Sequence, residues 1–269
     1  MTKKGARLGV AVVVVGTLCV TAMVGPTSPA QALEARCAGV AGYAHRGGSD
    51  VGTHSRNTLP NFRDAFGAGM DGLETDVRPD ADLDLVIYHN RAVDGVTDGT
   101  GNVDDLSTQY IESLHTHDGG RIPMYSEFLN LLANRPGKLA IVEIKPSAHW
   151  TRELFARALI KPVVSRGLLN RVVFDSAVNR YLPILDDIDP RVETAVKGAS
   201  QRTGQQVLNV ADSVVTRWDW PSEYVQQVQA GGGRVVLSAG SSRAWSSALS
   251  RGPDGLLADP AAALLTWCG

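Results

Sequence analysis

Short apolar runs alternate along the chain with longer stretches whose apolar residues recur at helical spacing. The runs are GYAHR (42–46), LETDV (73–77), AIVEIK (140–145), VVFDSA (172–177), VETAVK (192–197), ADSVVT (211–216), VVLSAG (235–240) and GLLADP (255–260). Between them lie LPNFRDAFGAGM, SEFLNLLANR, RELFARALIKPVVSRG, PSEYVQQVQAGG and SRAWSSALSRG, with Ser126 and Ser222 where helix N-caps are expected. Strands that alternate with helices pair in parallel. Eight such units predict an α/β fold, a (β/α)8 barrel, with the helix signals weakest over 178–210. One segment breaks the rhythm. After LETDV, the stretch RPDADLDLVIYHN reads as a turn and a short returning strand. Residues 90–125 are then rich in Gly, Asp and Thr, and read as an insertion on the top face of the barrel.

The N-terminus does not belong to this pattern. MTKKGARLG is basic, LGVAVVVVGTLCVTAMV is apolar, and PTSPAQALEA offers small residues at Ala30 and Ala32. This predicts a secretory signal peptide over 1–32 and a secreted protein. Residues 33–269 remain as a single domain, close to the ~250 residues typical of such a barrel. The removed segment carries Lys3, Lys4 and Arg7 and no acid, so what remains is more acidic than the net charge of −2 of the whole sequence. That argues against a general surface for nucleic acid or anionic membrane. No second apolar span follows, so stable membrane insertion after cleavage is not expected, and no protein partner is evident. Two cysteines are left, Cys37 and Cys268. An even count in an exported chain predicts one disulfide between them.

The strand ends carry the candidate chemistry, because the C-terminal ends of barrel strands face the active site. Strand one ends in His45 and Arg46, strand two contains Glu74 and Asp76, the returning hairpin ends in His89, and strand three contains Glu143 and Lys145. Residues i and i+2 of a strand share a face. Glu74 and Asp76 therefore point one way, and Glu143 and Lys145 do the same. Three carboxylates in one mouth repel one another, and a divalent cation resolves the conflict. All-oxygen ligands suit Ca²⁺ or Mg²⁺. His45 and His89 are candidates for an acid–base pair at neutral pH. Arg46 and Lys145 supply positive charge for a phosphate. The set suits phosphodiester cleavage of a small-molecule substrate. Gly47 and Gly48 are expected to let backbone approach that substrate closely.

Several stretches together resemble the bacterial glycerophosphodiester phosphodiesterase family. They are HRG (45–47), RNTLPNF (56–62), GLETDVRPDADLDLVIYHN (72–90), RIPMYSEFL (121–129), VEIKP (142–146) and GPDGLLADP (252–260). The resemblance implies a TIM barrel with a small top-face insertion after the second histidine. It implies Glu74, Asp76 and Glu143 as metal ligands, His45 and His89 as the acid–base pair, and Arg46 and Lys145 as phosphate contacts. Two positions depart from the family pattern. Its Glu-Asn-Thr is Arg56-Asn57-Thr58 here, and its His-Asp is His89-Asn90. Arg56 beside Arg46 is expected to raise the positive potential at the mouth and to favour substrates with an extra anionic group.

Two other readings compete. A phospholipase D-like relative acting on sphingomyelin or lysophospholipid would share the barrel and the histidines. The His45-Arg46-Gly47 start, Glu at 143 and the long insertion speak against it. A non-catalytic binding module is favoured by Arg56 and Asn90 and opposed by the complete carboxylate trio. His115, His117 and Asp118 read as a solvated loop, and Asp259-Pro260 as structural. His54, His149, Trp150, Trp218 and Trp220 are candidates for the rim of the mouth.

Overall fold

The computed structural model describes residues 34–269, so the expected signal peptide lies outside the described residues. In chain order the elements are α1 (Glu34–Cys37), β1 (Ala41–His45), α2 (Leu59–Ala68), β2 (Gly72–Pro79), β3 (Leu85–Ile87), α3 (Thr108–Ser113), α4 (Tyr125–Ala133), β4 (Leu139–Ile144) and α5 (Arg152–Ser165). There follow β5 (Val172–Ser176), α6 (Leu182–Ile188), β6 (Glu193–Lys197), α7 (Gly204–Leu208), β7 (Ser213–Arg217), α8 (Ser222–Ala230), β8 (Val235–Ala239), α9 (Ser242–Leu249), β9 (Gly255–Ala258) and α10 (Ala261–Cys268). Every strand but β3 pairs in parallel, and the ring closes because β1 pairs with both β2 and β9. This is the expected (β/α)8 barrel. β3 is the returning strand, antiparallel to β2 with Val77 opposite Ile87. The weak helix signal over 178–210 corresponds to two short helices, α6 and α7.

Local chemistry sets the ends of the helices. Thr58 caps α2 by accepting from the Asn61 N–H, and Gly69 ends it at φ 114°, a left-handed conformation that favours glycine. Ser126 and Ser222 are not caps. Met124 and Pro221 hold those positions, and the serines lie in the first turns. At Met124 the cap comes from the other direction, with the Glu127 carboxylate accepting from the Met124 N–H at 2.9 Å.

Strand alternation divides the barrel interior into levels. At the N-terminal ends of the strands, Arg234 forms an ion pair with Glu193, and the Ser213 hydroxyl donates to Glu193 at 2.8 Å. Above this floor sits an apolar level of Tyr43, Ile141, Val173, Ala195, Val215, Val236 and Leu257. A Cβ on Gly72 or Gly255 would lie 2.4 or 2.8 Å from the Tyr43 ring, so those glycines make room for it. Two residues further along each strand the same inward face carries His45, Glu143, Asp175 and Lys197. The opposite face of the sheet packs under the helices, where Phe62, Phe128, Phe155 and Phe174 are fully buried.

β3 and the segment from it to α4 build a small core from Val86, Tyr88, Val93, Val103, Ile111, Leu114 and Ile122. Its apolar residues are irregularly spaced, which hides this core from any periodicity. The chain ends meet as expected. Cys37 and Cys268 form a disulfide with Cα atoms 5.4 Å apart, tying α1 to α10. Among the described residues no helix is long and apolar enough to cross a membrane.

Candidate active site

The register of the strands assembles the acids. Asp76 on β2 lies opposite Glu143 on β4, and Glu143 lies opposite Asp175 on β5. Glu74 is one inward step below Asp76 and lies opposite His45 on β1. One carboxylate oxygen from each of Glu74, Asp76 and Glu143 falls within 4.8 Å of the other two, and all three side chains are buried. The expected trio is therefore brought together.

Cations surround it. Lys145 Nζ lies 2.5 Å from Glu143 Oε1 and 3.0 Å from Asp76 Oδ1. Arg46 Nε faces Asp76 Oδ2 at 3.3 Å, and the Arg46 N–H donates to Glu74 Oε2 at 3.2 Å. Lys197 is a third cation that sequence reasoning missed. Its Nζ is 2.6 Å from Glu74 Oε1, 2.6 Å from Glu143 Oε2 and 3.5 Å from Asp175 Oδ2. Burial opposes the charge on Glu74, but Lys197 and then His45 outweigh it and hold the carboxyl below its usual range. Burial also opposes the charge on Lys197, and Asp175, Glu74 and Glu143 together raise that ammonium well above the usual lysine value. At Asp175 burial wins over Lys197, and the carboxyl is raised.

His45 ends β1 and faces two carboxylates. Its Nε2 is 3.8 Å from Glu74 Oε2, and its Nδ1 is 3.6 Å from Asp259 Oδ2. Asp259 follows β9 and accepts from the Ser49 N–H at 2.9 Å and from Arg56 Nη1 at 2.5 Å. The residue expected to be structural thus stands behind a candidate catalytic histidine. Burial disfavours charge on Asp259, but His45, Ser49 and Arg56 together hold its carboxyl well below the usual range. His89 is held from two sides. Its Nδ1 lies 2.8 Å from Asn90 Oδ1, and Arg78 clamps its carbonyl with Nε at 3.0 Å and Nη2 at 2.8 Å. Burial lowers the His89 pKa, partly offset by Asn90 and Asp76.

The loop after β1 is built by left-handed backbone. Arg46 has φ 54°, Gly47 88°, Gly48 86° and Asn57 60°. A Cβ on Gly47 would fall 1.9 Å from Asn61 Oδ1, and one on Gly48 would fall 2.8 Å from Ala261 Cβ. The two glycines are required by positive φ and by their packing on α2 and α10. The turn delivers Asn57, whose Nδ2 donates to Asp76 Oδ2 at 2.8 Å while its Oδ1 accepts from Thr75 Oγ1 at 2.9 Å.

A family model described as the glycerophosphoryl diester phosphodiesterase family matches residues 45–232. The chain belongs to this family. It is 32% identical over 145 residues to a glycerophosphodiester phosphodiesterase of Caldanaerobacter subterraneus, a match covering 51% of this chain and 58% of that relative. The chain thus spans less than two thirds of the curated relative it matches. Its fold is that of the glycerophosphodiester phosphodiesterase from Parabacteroides distasonis, with TM-score 0.76, 17% identity, and 86% and 97% of the two chains covered. It is also that of an Oleispira antarctica phosphodiesterase solved in complex with the product sn-glycerol-3-phosphate, with TM-score 0.73, 19% identity, and 84% and 96% covered.

Against the family pattern, the structure places both departures. Arg56 is tied to Asp259 rather than standing free beside Arg46. Asn90 meets His89 through an amide oxygen where the pattern has a carboxylate. The remaining candidates lie outside the acid cluster. His54 Nδ1 is 2.7 Å from Asp64, and His149 Nε2 is 2.7 Å from Asp105. Trp150 and Trp220 are buried, and Trp218 packs against the core. His115 faces Asp98 and His117 faces the Gly95 carbonyl. Asp118 is more than solvated loop. It accepts from the Ser55 N–H and the Ser55 hydroxyl, at 2.5 and 2.7 Å, and so ties the insertion to the loop after β1.

Proposed function

We propose that this chain is a secreted, metal-dependent phosphodiesterase that hydrolyses glycerophosphodiesters to glycerol phosphate and an alcohol. The observation that carries the reading is the buried trio of Glu74, Asp76 and Glu143 beside His45, in a chain of this family. Three hard carboxylates with oxygens this close fit a divalent ion such as Ca²⁺ or Mg²⁺, and these residues would hold it. When bound, the ion supplies Lewis-acid polarisation of a phosphoryl oxygen and neutralises charge there.

The chain's own residues do the rest. Arg46 and Lys145 flank the acids and orient the phosphate, Arg as a fork and Lys as a point charge. One histidine of the pair removes a proton from the attacking hydroxyl while the other protonates the leaving alcohol. The attacking group is the substrate's own neighbouring hydroxyl, which displaces the alcohol to give a cyclic phosphate, and water then opens that ring with the two histidines exchanging roles; direct attack by water is the second reading. Asp259 faces His45 Nδ1 and Asn90 Oδ1 meets His89 Nδ1, so both rings are oriented before substrate arrives. Secretion follows from the N-terminal pattern of residues 1–32.

Product analysis by phosphorus NMR tests the reading, on a panel of glycerophosphodiesters, sphingomyelin and lysophospholipids with and without EDTA. Glycerol phosphate from the glycerophosphodiesters is the expected product. Turnover confined to sphingomyelin or lysophospholipid would assign the chain to the phospholipase D-like alternative, and no turnover of any substrate would leave a binding module.

A further inference from the structure

Lys197 is a cation with no evident place in gripping the phosphate. It is the last residue of β6, and alternation with Glu193 and Ala195 turns it into the barrel. Ala195 below it is small, so the long side chain crosses the mouth to acids on two other strands. Its ammonium sits 2.6 Å from one oxygen of Glu74 and 2.6 Å from one oxygen of Glu143. Lys145 takes the other oxygen of Glu143 together with Asp76. The two lysines therefore divide the trio between them, and Lys197 holds the half that Lys145 does not reach.

Asp175 completes the arrangement. It is fully buried, neither of its carboxylate oxygens has a hydrogen-bond partner, and Lys197 faces one of them at 3.5 Å. The nearby ammonium offsets only part of the desolvation of a carboxylate in that state. Asp175 thus draws on the same ammonium as Glu74 and Glu143.

We propose that Lys197 is a built-in cation of the metal pocket, sharing Glu74 and Glu143 with the divalent ion and setting how tightly that ion is held. The inference rests on the metal-dependent reading above. An ammonium within hydrogen-bond distance of two ligand oxygens repels a divalent ion at the same oxygens, so it weakens metal binding while keeping the acids compatible with the fold without metal. Asp175 sets the balance, because in its ionised form it pulls the ammonium away from the two ligands.

Calorimetric titration of the purified protein with CaCl₂ and with MgCl₂ tests this, on wild type, Lys197→Met, Lys197→Arg, Asp175→Asn and the double variant Asp175→Asn/Lys197→Met. Thermal unfolding in EDTA and in saturating CaCl₂ is measured alongside. Removing the ammonium in Lys197→Met is expected to tighten divalent binding by about tenfold or more. The same variant should melt below wild type in EDTA, with the gap closing in CaCl₂. Asp175→Asn is expected to weaken binding, because Lys197 then sits more firmly on Glu74 and Glu143. Lys197→Arg keeps the charge and should stay near wild type. If Lys197→Met does not fold, the double variant keeps the charge balance and is expected to bind more tightly than wild type.

A folded Lys197→Met or double variant with unchanged or weaker affinity, beside a wild type that binds, overturns the inference and leaves the metal reading standing. Binding by Lys197→Met alone supports the inference and contradicts metal dependence of the wild type. No binding by wild type or any variant overturns both.

Discussion

Arg56 donates to Asp259 Oδ2 at 2.5 Å, and that same oxygen faces His45 Nδ1 at 3.6 Å. The arginine that replaces the family's glutamate therefore spends its charge on the carboxylate behind a candidate catalytic histidine. That carboxylate offsets much of its charge near Arg46. The pairing weakens the expectation that Arg56 favours substrates with an extra anionic group. Arg56→Glu would instead set two carboxylates against each other beside His45 and disturb the ring. We expect kcat to fall by roughly tenfold, with the preference between anionic and zwitterionic glycerophosphodiesters little changed. Steady-state kinetics on glycerophosphocholine and glycerophosphoserine checks this. A changed preference at unchanged kcat would show that Arg56 reads the substrate.

His45→Ala and His89→Ala should each lower kcat by at least ~10²-fold, the low end for lost acid–base catalysis. The His45 side chain is 27% exposed at the end of its strand and belongs to no apolar cluster, so folding should barely change. Urea midpoints measured beside the kinetics separate the two effects. Near-normal turnover in either variant would make that histidine structural.

Much of this site was legible because strands obey a period of two. Alternation alone put Glu74 with Asp76 and Glu143 with Lys145 on inward faces, and the register then brought them together. The same rule applied to VVFDSA and VETAVK would have turned Asp175 and Lys197 inward with Val173 and Ala195. The signal was present for both. Asn57 and Asp259 were less legible. Asn57 reaches Asp76 only because residues 46–48 and 57 adopt left-handed backbone, and Asp259 meets Arg56 across 203 residues of sequence. No local pattern encodes either contact. The core of the insertion was hidden for a related reason, because its apolar residues come from a strand, a helix and loops at no common spacing.

The floor of the barrel makes a prediction at alkaline pH. Burial pushes the Tyr43 phenol up from 10.0 to about 12, with Arg234 pulling the other way. The unfolded chain releases this proton first, so the stabilisation is complete below pH 10.0 and is lost as pH rises towards about 12. Tyr43→Phe removes that titration. The urea midpoint of the variant should fall less steeply above pH 10.0 than that of wild type. Equal slopes would mean that Tyr43 titrates alike in both states.

The disulfide should stabilise through the unfolded chain. Cys37 and Cys268 are 231 residues apart, and closing a loop of that length corresponds to roughly 5 kcal/mol in a chain-entropy model. Measured bridges usually give about 2–4 kcal/mol, so Cys37→Ser/Cys268→Ser should lose stability in that range. Denaturant unfolding of the two proteins provides the comparison. Two alkylatable thiols in the native, unreduced protein would remove the bridge from the account.

The most direct test of metal-dependent phosphodiester cleavage is glycerol phosphate release after chelation and restoration. Purified protein is stripped with EDTA, assayed on a glycerophosphodiester, then assayed again after adding CaCl₂ or MgCl₂, with Glu143→Ala carried through in parallel. The account predicts that release stops on chelation, returns with one of the two ions in wild type, and does not return in Glu143→Ala. Full turnover in EDTA, with the variant as fast as wild type, would contradict it.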